Sequence, residues 1–268
     1  MTPSFDTDAD SSTTTIERRK FISTIRRVSK SCAVAPGSYP ATEGVAIFRD
    51  AIVATDGRRM SIDRSIRLIG IPDDGLVLSG SAVRTIAKWP LVGADIQVDI
   101  ATDGGLTIAG FHPDLLPSDQ FPPSWQAFDV PLTGRCAVPL PKSVIGYVRW
   151  IASMTSDKVP VDISWRRESK EFTVSAHASR DTPHEWLRGP GGLNYVPVRF
   201  PGTNVAPDFD LAFNPKHLLQ SHTFTMHLAL NAERTKVEIG AWGMNCIPFA
   251  ADEHDRRRYL LAPCDPLR

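Results

Sequence analysis

The side chains in this sequence best suited to chemistry are basic ones set against apolar stripes. Stepping about 100° per residue, Arg19, Arg26, Arg27 and Lys30 fall opposite Phe21, Ile22, Ile25, Val28 and Cys32. Lys142 and Arg149 lie opposite Val144, Val148 and Ile151, Arg84 and Lys88 sit one turn apart, and Lys216 stands beside Gln220. Fixed cations on a helix face can meet a polyanion. A solvated outer face is the commoner meaning of any one of them.

Catalytic patterns are missing by comparison. His177, His184, His217, His222, His227 and His254 have no HExxH or related metal spacing, and there is no GxSxG elbow. The run Gly189 to Gly192 lacks the Lys and following helix of a phosphate loop. Asp73-Asp74 and Asp252-Glu253 fall in turn-like stretches, where solvation explains them. No catalysis, metal or cofactor is expected.

Composition narrows the class. The 268 residues suffice for two domains, and 42% hydrophobic residues can fill their cores. Lys plus Arg equals Asp plus Glu, 30 against 30, so any nucleic-acid contact must come from a local patch and not from bulk charge. Cys32, Cys136, Cys246 and Cys264 form no CxxC pair and read as reduced cytosolic thiols. The Ser-, Thr- and Asp-rich residues 1–15 read as a disordered tail without a secretory signal, and no run approaches membrane-spanning length.

The elements that must carry these residues follow from periodicity. A helix is expected from Ile16 to Ala33, then an antiparallel meander over Gly44–Phe48, Ala51–Ala54 and Met60–Ile71. Asp56-Gly57 supplies a hairpin corner, since Gly tolerates positive φ and Asp can bond its own backbone. Leu76–Leu78 runs into Ser79, a cap for a helix reaching Trp89, and a hairpin follows around Asp103-Gly104-Gly105. After a linker near Phe121–Trp125, Val138–Leu140 leads to a helix with Pro141 in its first turn. Strands are expected at Val161–Trp165, Glu171–Ala176, Met226–Leu230, Lys236–Ile239 and Met244–Phe249. Residues 180–208 read as an insertion with one short strand near Tyr195–Val198. Asn214-Pro215 starts a last helix to about His222.

The two halves overlay at one offset: Leu76, Leu78, Ser79 and Val83 match Leu211, Phe213, Asn214 and Leu218, each 135 residues on. The expected fold is therefore α+β, with two tandem domains over 16–130 and 131–268, each carrying two helices on antiparallel sheets.

In this order the chain resembles the bacterial DNA polymerase III beta sliding clamp from Ile16 to Pro263. The opening helix from Phe21 to Val28, the hairpin from Ala54 to Met60 and the loop from Leu116 to Pro122 carry the likeness. So do the helix from Phe213 to Leu219 and the strand from Tyr259 to Pro263. That family has three such domains per chain. This sequence has room for two, resembling the family's middle and last domains, so a six-domain ring would need a head-to-tail homotrimer.

The resemblance implies a cytoplasmic, nucleoid-associated processivity factor without enzymatic activity. Its ring surrounds duplex DNA without reading sequence, the basic residues named above facing the phosphates. It also implies a hydrophobic groove between the two domains for short peptides of polymerase and clamp-loader subunits. Thr55, Gly57, Arg58, Arg59, Met60, Pro122, Asn214, His217, Leu261 and Pro263 would form it. His217 stands where the family carries Tyr, and the ending after Leu261 departs from the family's, which leaves the peptide preference open. Two other readings stay open. One is a clamp-like adaptor or decoy that closes no ring, favoured by the insertion and the altered ending. The other is an enzyme on a duplicated scaffold, which would need a catalytic cluster drawn from distant residues.

Overall fold

The apolar stripes named above become the core. Phe21, Ile22, Ile25 and Val28 are fully buried, as are Val144, Val148 and Ile151. At about 1.5–3 kcal/mol for each large apolar side chain removed from water, this burial and not helix propensity holds the helices in place. The computed structural model describes residues 12–33, 40–57, 59–122, 136–138, 142–154, 159–176, 193–194, 198–199, 208–220, 225–230, 246–251 and 257–261. The chain divides into two compact units, Met1–Trp125 and Gln126–Arg268.

The first unit runs β1 (Ser12–Ile16), α1 (Arg18–Val28), β2 (Val45–Ile47), β3 (Ile52–Thr55), β4 (Arg59–Asp63), β5 (Leu76–Leu78), α2 (Gly80–Ala87), β6 (Ile96–Ile100), β7 (Leu106–Ile108) and β8 (Leu115–Leu116). This is a β-α-β-β-β run made twice. The strand before each helix pairs with the first strand after the other helix: β1 lies antiparallel to β6, with Ser12 opposite Ile100, and β5 lies antiparallel to β2, with Leu78 opposite Val45. Two antiparallel sheets result, in the orders β1-β6-β7 and β8-β5-β2-β3-β4. One apolar cluster joins both sheets to both helices, from Ile16 and Phe21 through Ile52 and Leu78 to Ile86, Val98 and Ile108.

The second unit repeats the pattern. It runs β9 (Cys136–Val138), α3 (Lys142–Met154), β10 (Val161–Arg166), β11 (Glu171–Ala176), β12 (Leu193–Asn194), β13 (Val198–Arg199), β14 (Phe209–Phe213), α4 (Pro215–Gln220), β15 (Thr225–Leu230), β16 (Cys246–Ala251) and β17 (Arg257–Leu261). Here β14 pairs with β10, and β9 with β15, the same exchange as in the first unit. The β10–β11 hairpin sets Trp165 opposite Phe172, their ring centroids 4.6 Å apart and both side chains fully buried.

Two local expectations give way. Residues 12–15 belong to strand β1 and not to a tail. Thr13 Oγ1 donates to Asp99 Oδ1 at 2.7 Å, Ser12 Oγ donates to the Ile69 carbonyl at 3.0 Å, and Thr14 Oγ1 accepts from the Ile69 N–H at 3.1 Å. The strand expected from Met60 to Ile71 ends at Asp63, because Asp63 Oδ1 accepts the Ser65 N–H at 2.8 Å and turns the backbone away. The strand expected at Lys236–Ile239 and the linker from Pro123 to Trp125 lie outside the described residues.

Candidate nucleic-acid interface

Helix α2 begins where the sequence supplies a cap: Ser79 Oγ accepts the Ala82 N–H at 3.2 Å. At the equivalent position before α4, Asn214 Oδ1 accepts the N–H groups of Lys216 at 3.0 Å and His217 at 3.2 Å. The offset of 135 residues therefore relates two caps as well as two stripes, with Val83 and Leu218 both buried beneath them. On these scaffolds Arg19 and Lys30 of the first helical segment, Arg84 and Lys88 at α2, Lys142 and Arg149 of α3, and Lys216 of α4 are all exposed. Lys20 is exposed too, one residue from Arg19. It lies on the same polar side, and the helical wheel alone was sufficient to find it.

Arg26 and Arg27 are engaged inside the unit. Arg26 Nε donates to the Ala87 carbonyl at 2.7 Å and its Nη2 to the Trp89 carbonyl at 2.9 Å. A guanidinium at the C-terminal end of α2 thus satisfies carbonyls that the helix leaves unpaired, where the macrodipole favours positive charge. Arg27 forms an ion pair with Asp63, whose side chain is 1% exposed, and Asp63 Oδ2 also accepts from Thr24 Oγ1 at 3.4 Å. Arg18, on the same helix, donates from Nε to the Ala94 carbonyl at 2.8 Å.

The 55–60 hairpin is held by its own polar groups. Buried Thr55 donates from Oγ1 to the Arg59 carbonyl at 2.7 Å and accepts the Gly57 N–H at 3.1 Å. Asp56 accepts the Arg59 N–H at 3.0 Å and Arg59 Nε at 2.8 Å. Gly57 adopts φ +83°, and a Cβ there would meet nothing within 4 Å, so the turn requires glycine for its backbone conformation and not for space. Met60 is buried at 3%, Pro122, Asn214 and His217 are half-buried, and the Leu261 backbone ends β17. Arg58, Pro263 and the side chain of Leu261 lie outside the described residues.

Two titratable groups depart from their ordinary values. Burial pushes the Cys32 thiol up to about 12, with Arg59 pulling it down and Asp56 pushing it up by less. The thiol donates to the Gly44 carbonyl at 3.1 Å. Burial would also raise the Asp210 carboxyl, but hydrogen bonds from Ser164 and Arg166 and the Arg166 charge outweigh it and hold the group below its ordinary value. Among the described residues no three His, Cys, Asp or Glu side chains gather as a metal would require, and no helix is long and apolar enough to cross a membrane.

No protein-family model matches the chain, and no curated protein sequence does either. Solved structures do match. A putative DNA polymerase III beta subunit from Eubacterium rectale superposes with a TM-score of 0.67 at 14% identity, over 99% of this chain and 68% of that one. The Caulobacter crescentus beta sliding clamp gives 0.65 at 14% identity, over 99% of this chain and 68% of that one. The Helicobacter pylori beta clamp bound to a DNA ligase peptide gives 0.63 at 10% identity, over 96% of this chain and 68% of that one. Doubled β-α-β-β-β units, with paired helices on antiparallel sheets, thus give this chain the α+β fold of the DNA polymerase III beta sliding clamps, at 68% of the length of these three structures.

Proposed function

We propose that the chain is a DNA sliding clamp, a processivity factor that surrounds duplex DNA and tethers replication or repair proteins. The observation that carries this reading is the match of nearly the whole chain to clamp structures, combined with exposed cations on all four helices. Arg19, Lys30, Arg84, Lys88, Lys142, Arg149 and Lys216 meet the phosphates, largely through water, so the duplex is held without sequence preference and can slide. Arg26, bonded to the Ala87 and Trp89 carbonyls, and Arg27, neutralised by Asp63, brace the first unit and are left out of this set. Two units per chain and six per ring make the assembly a head-to-tail trimer. Short hydrophobic peptides of polymerase and loader subunits are received by Thr55, Gly57, Arg58, Arg59, Met60, Pro122, Asn214, His217, Leu261 and Pro263. The Helicobacter pylori clamp, whose structure holds a DNA ligase peptide, supports that part of the proposal.

Light scattering across a range of protein concentrations tests the assembly. A mass of three chains, with retention on closed circular DNA and loss from linear DNA, is the expected result. A monomer at high concentration would remove the self-closing ring and leave a clamp-like adaptor acting through its peptide site.

A further inference from the structure

On α3 the face turned away from buried Val144, Val148 and Ile151 is divided lengthwise. Lys142 and Arg149 lie along one side and Tyr147 and Trp150 along the other, with Gly146 and Ser153 between them at steps of about 100° per residue. Trp150 is 42% exposed, unusual for so large an apolar side chain, and its ring lies 5.2 Å from that of Tyr147 at 40°. A Cβ at Gly146 would meet nothing within 4 Å, and Ser153 Oγ bonds back to the Trp150 carbonyl at 2.7 Å, so little rises from the strip between the two rows. A row of cations and a row of aromatics flanking a low strip match a polynucleotide strand with its bases unpaired: phosphates follow the cations, and bases stack on the rings. A duplex keeps its bases inside and offers such rings nothing to stack on.

We propose that the outer face of α3 is a binding strip for single-stranded nucleic acid, with Trp150 as its stacking platform. This rests on the reading that the cationic helix faces meet DNA, and it adds a preference for unpaired strand at one helix. It would hold the clamp at a junction between duplex and template.

Fluorescence anisotropy with labelled oligothymidylate and with a duplex of equal length, at one fixed salt concentration, tests it on the full chain. Trp150→Ala is expected to weaken oligothymidylate binding about 5- to 100-fold and to leave duplex binding unchanged, while Trp150→Phe keeps most of the affinity. Gly146→Leu fills the strip at a position that favours helix, so it provides a folded variant with the same expected loss should Trp150→Ala unfold. Unchanged oligothymidylate binding in both Trp150→Ala and Gly146→Leu would overturn the proposal, as would equal loss of single strand and duplex. Wild-type protein that does not bind oligothymidylate overturns the strip alone, because the clamp reading stands or falls separately on the solution mass and on retention by closed circular DNA.

Discussion

The Arg27 guanidinium of α1 is paired with the Asp63 carboxylate at the end of β4, and its Nη2 also donates to Thr24 Oγ1 at 3.0 Å. Asp63 is almost wholly buried and Arg27 is 30% exposed, so the two partners are not equivalent when one is removed. Arg27→Ala leaves a buried carboxylate without its counter-charge and is expected to cost about 3 kcal/mol in urea unfolding. Adding Asp63→Asn to Arg27→Ala should recover part of that loss by removing the charge. A double variant less stable than Arg27→Ala alone would count against this account.

The Arg26 hydrogen bonds predict a separation between stability and DNA binding along one stretch of surface. Arg26→Ala removes the cap on α2 and should cost about 1–2 kcal/mol, with little change in the salt dependence of duplex binding. Arg84→Ala and Lys88→Ala, at exposed positions, should each cost less than about 0.5 kcal/mol and lower the slope of log K against log salt by about 0.9 for each copy in the ring that meets a phosphate. Unfolding curves and salt titrations of the three variants check both halves. Salt slopes equal to wild type for Arg84→Ala and Lys88→Ala would mean that duplex does not meet α2.

Cys32 makes a pH prediction. Its thiol is held protonated in the folded chain up to about 12, against an ordinary value of 9.0. Between those values the unfolded chain releases a proton that the folded chain keeps. The contribution of Cys32 to stability is therefore full below pH 9.0 and is lost as pH rises from 9.0 towards about 12, with a slope of up to about 1.4 kcal/mol per pH unit. Urea midpoints measured on both sides of pH 9.0 should fall more steeply for wild type than for Cys32→Ala. Parallel curves would show the thiol to be less buried than its Gly44 contact implies.

Ser79 and Asn214 predict matched losses. Ser79→Ala and Asn214→Ala should each cost about 1 kcal/mol, whereas the glycine variants cost a few tenths. Thermal unfolding of the four single variants reads this directly. A loss at Asn214→Gly as large as at Asn214→Ala would assign the side chain a role beyond the cap.

Features set by neighbours along the chain were legible in the sequence. The caps at Ser79 and Asn214, the Gly57 corner and the stripe from Phe21 to Val28 each depend on residues within a turn or two, and each is found where periodicity and turn chemistry put it. Strand β1 was hidden because Ser12 to Thr15 carry no apolar alternation. The β-branched shape of Thr13, Thr14 and Thr15 suits a strand, but the partners Asp99 and Ile69 lie more than fifty residues away in sequence. The same distance concealed the engagement of Arg26, whose helical-wheel position points outward while its acceptors lie 61 and 63 residues on. A wheel assigns a direction about the helix axis and carries no information on what another helix end brings alongside.

The exchanged pairing of β1 with β6 and of β5 with β2 bears on how such a unit can arise and fail. Each β-α-β-β-β run gives its first strand to the other run, so neither run can close its own sheet. An excised run would keep an orphan strand and a bare sheet edge, and two excised runs could repair each other only by trading those strands. Each unit is, in effect, a domain-swapped dimer made permanent by fusion into one chain. Cutting the chain between β4 and β5 should therefore leave two fragments that reassemble as complementary partners and do not fold as independent halves.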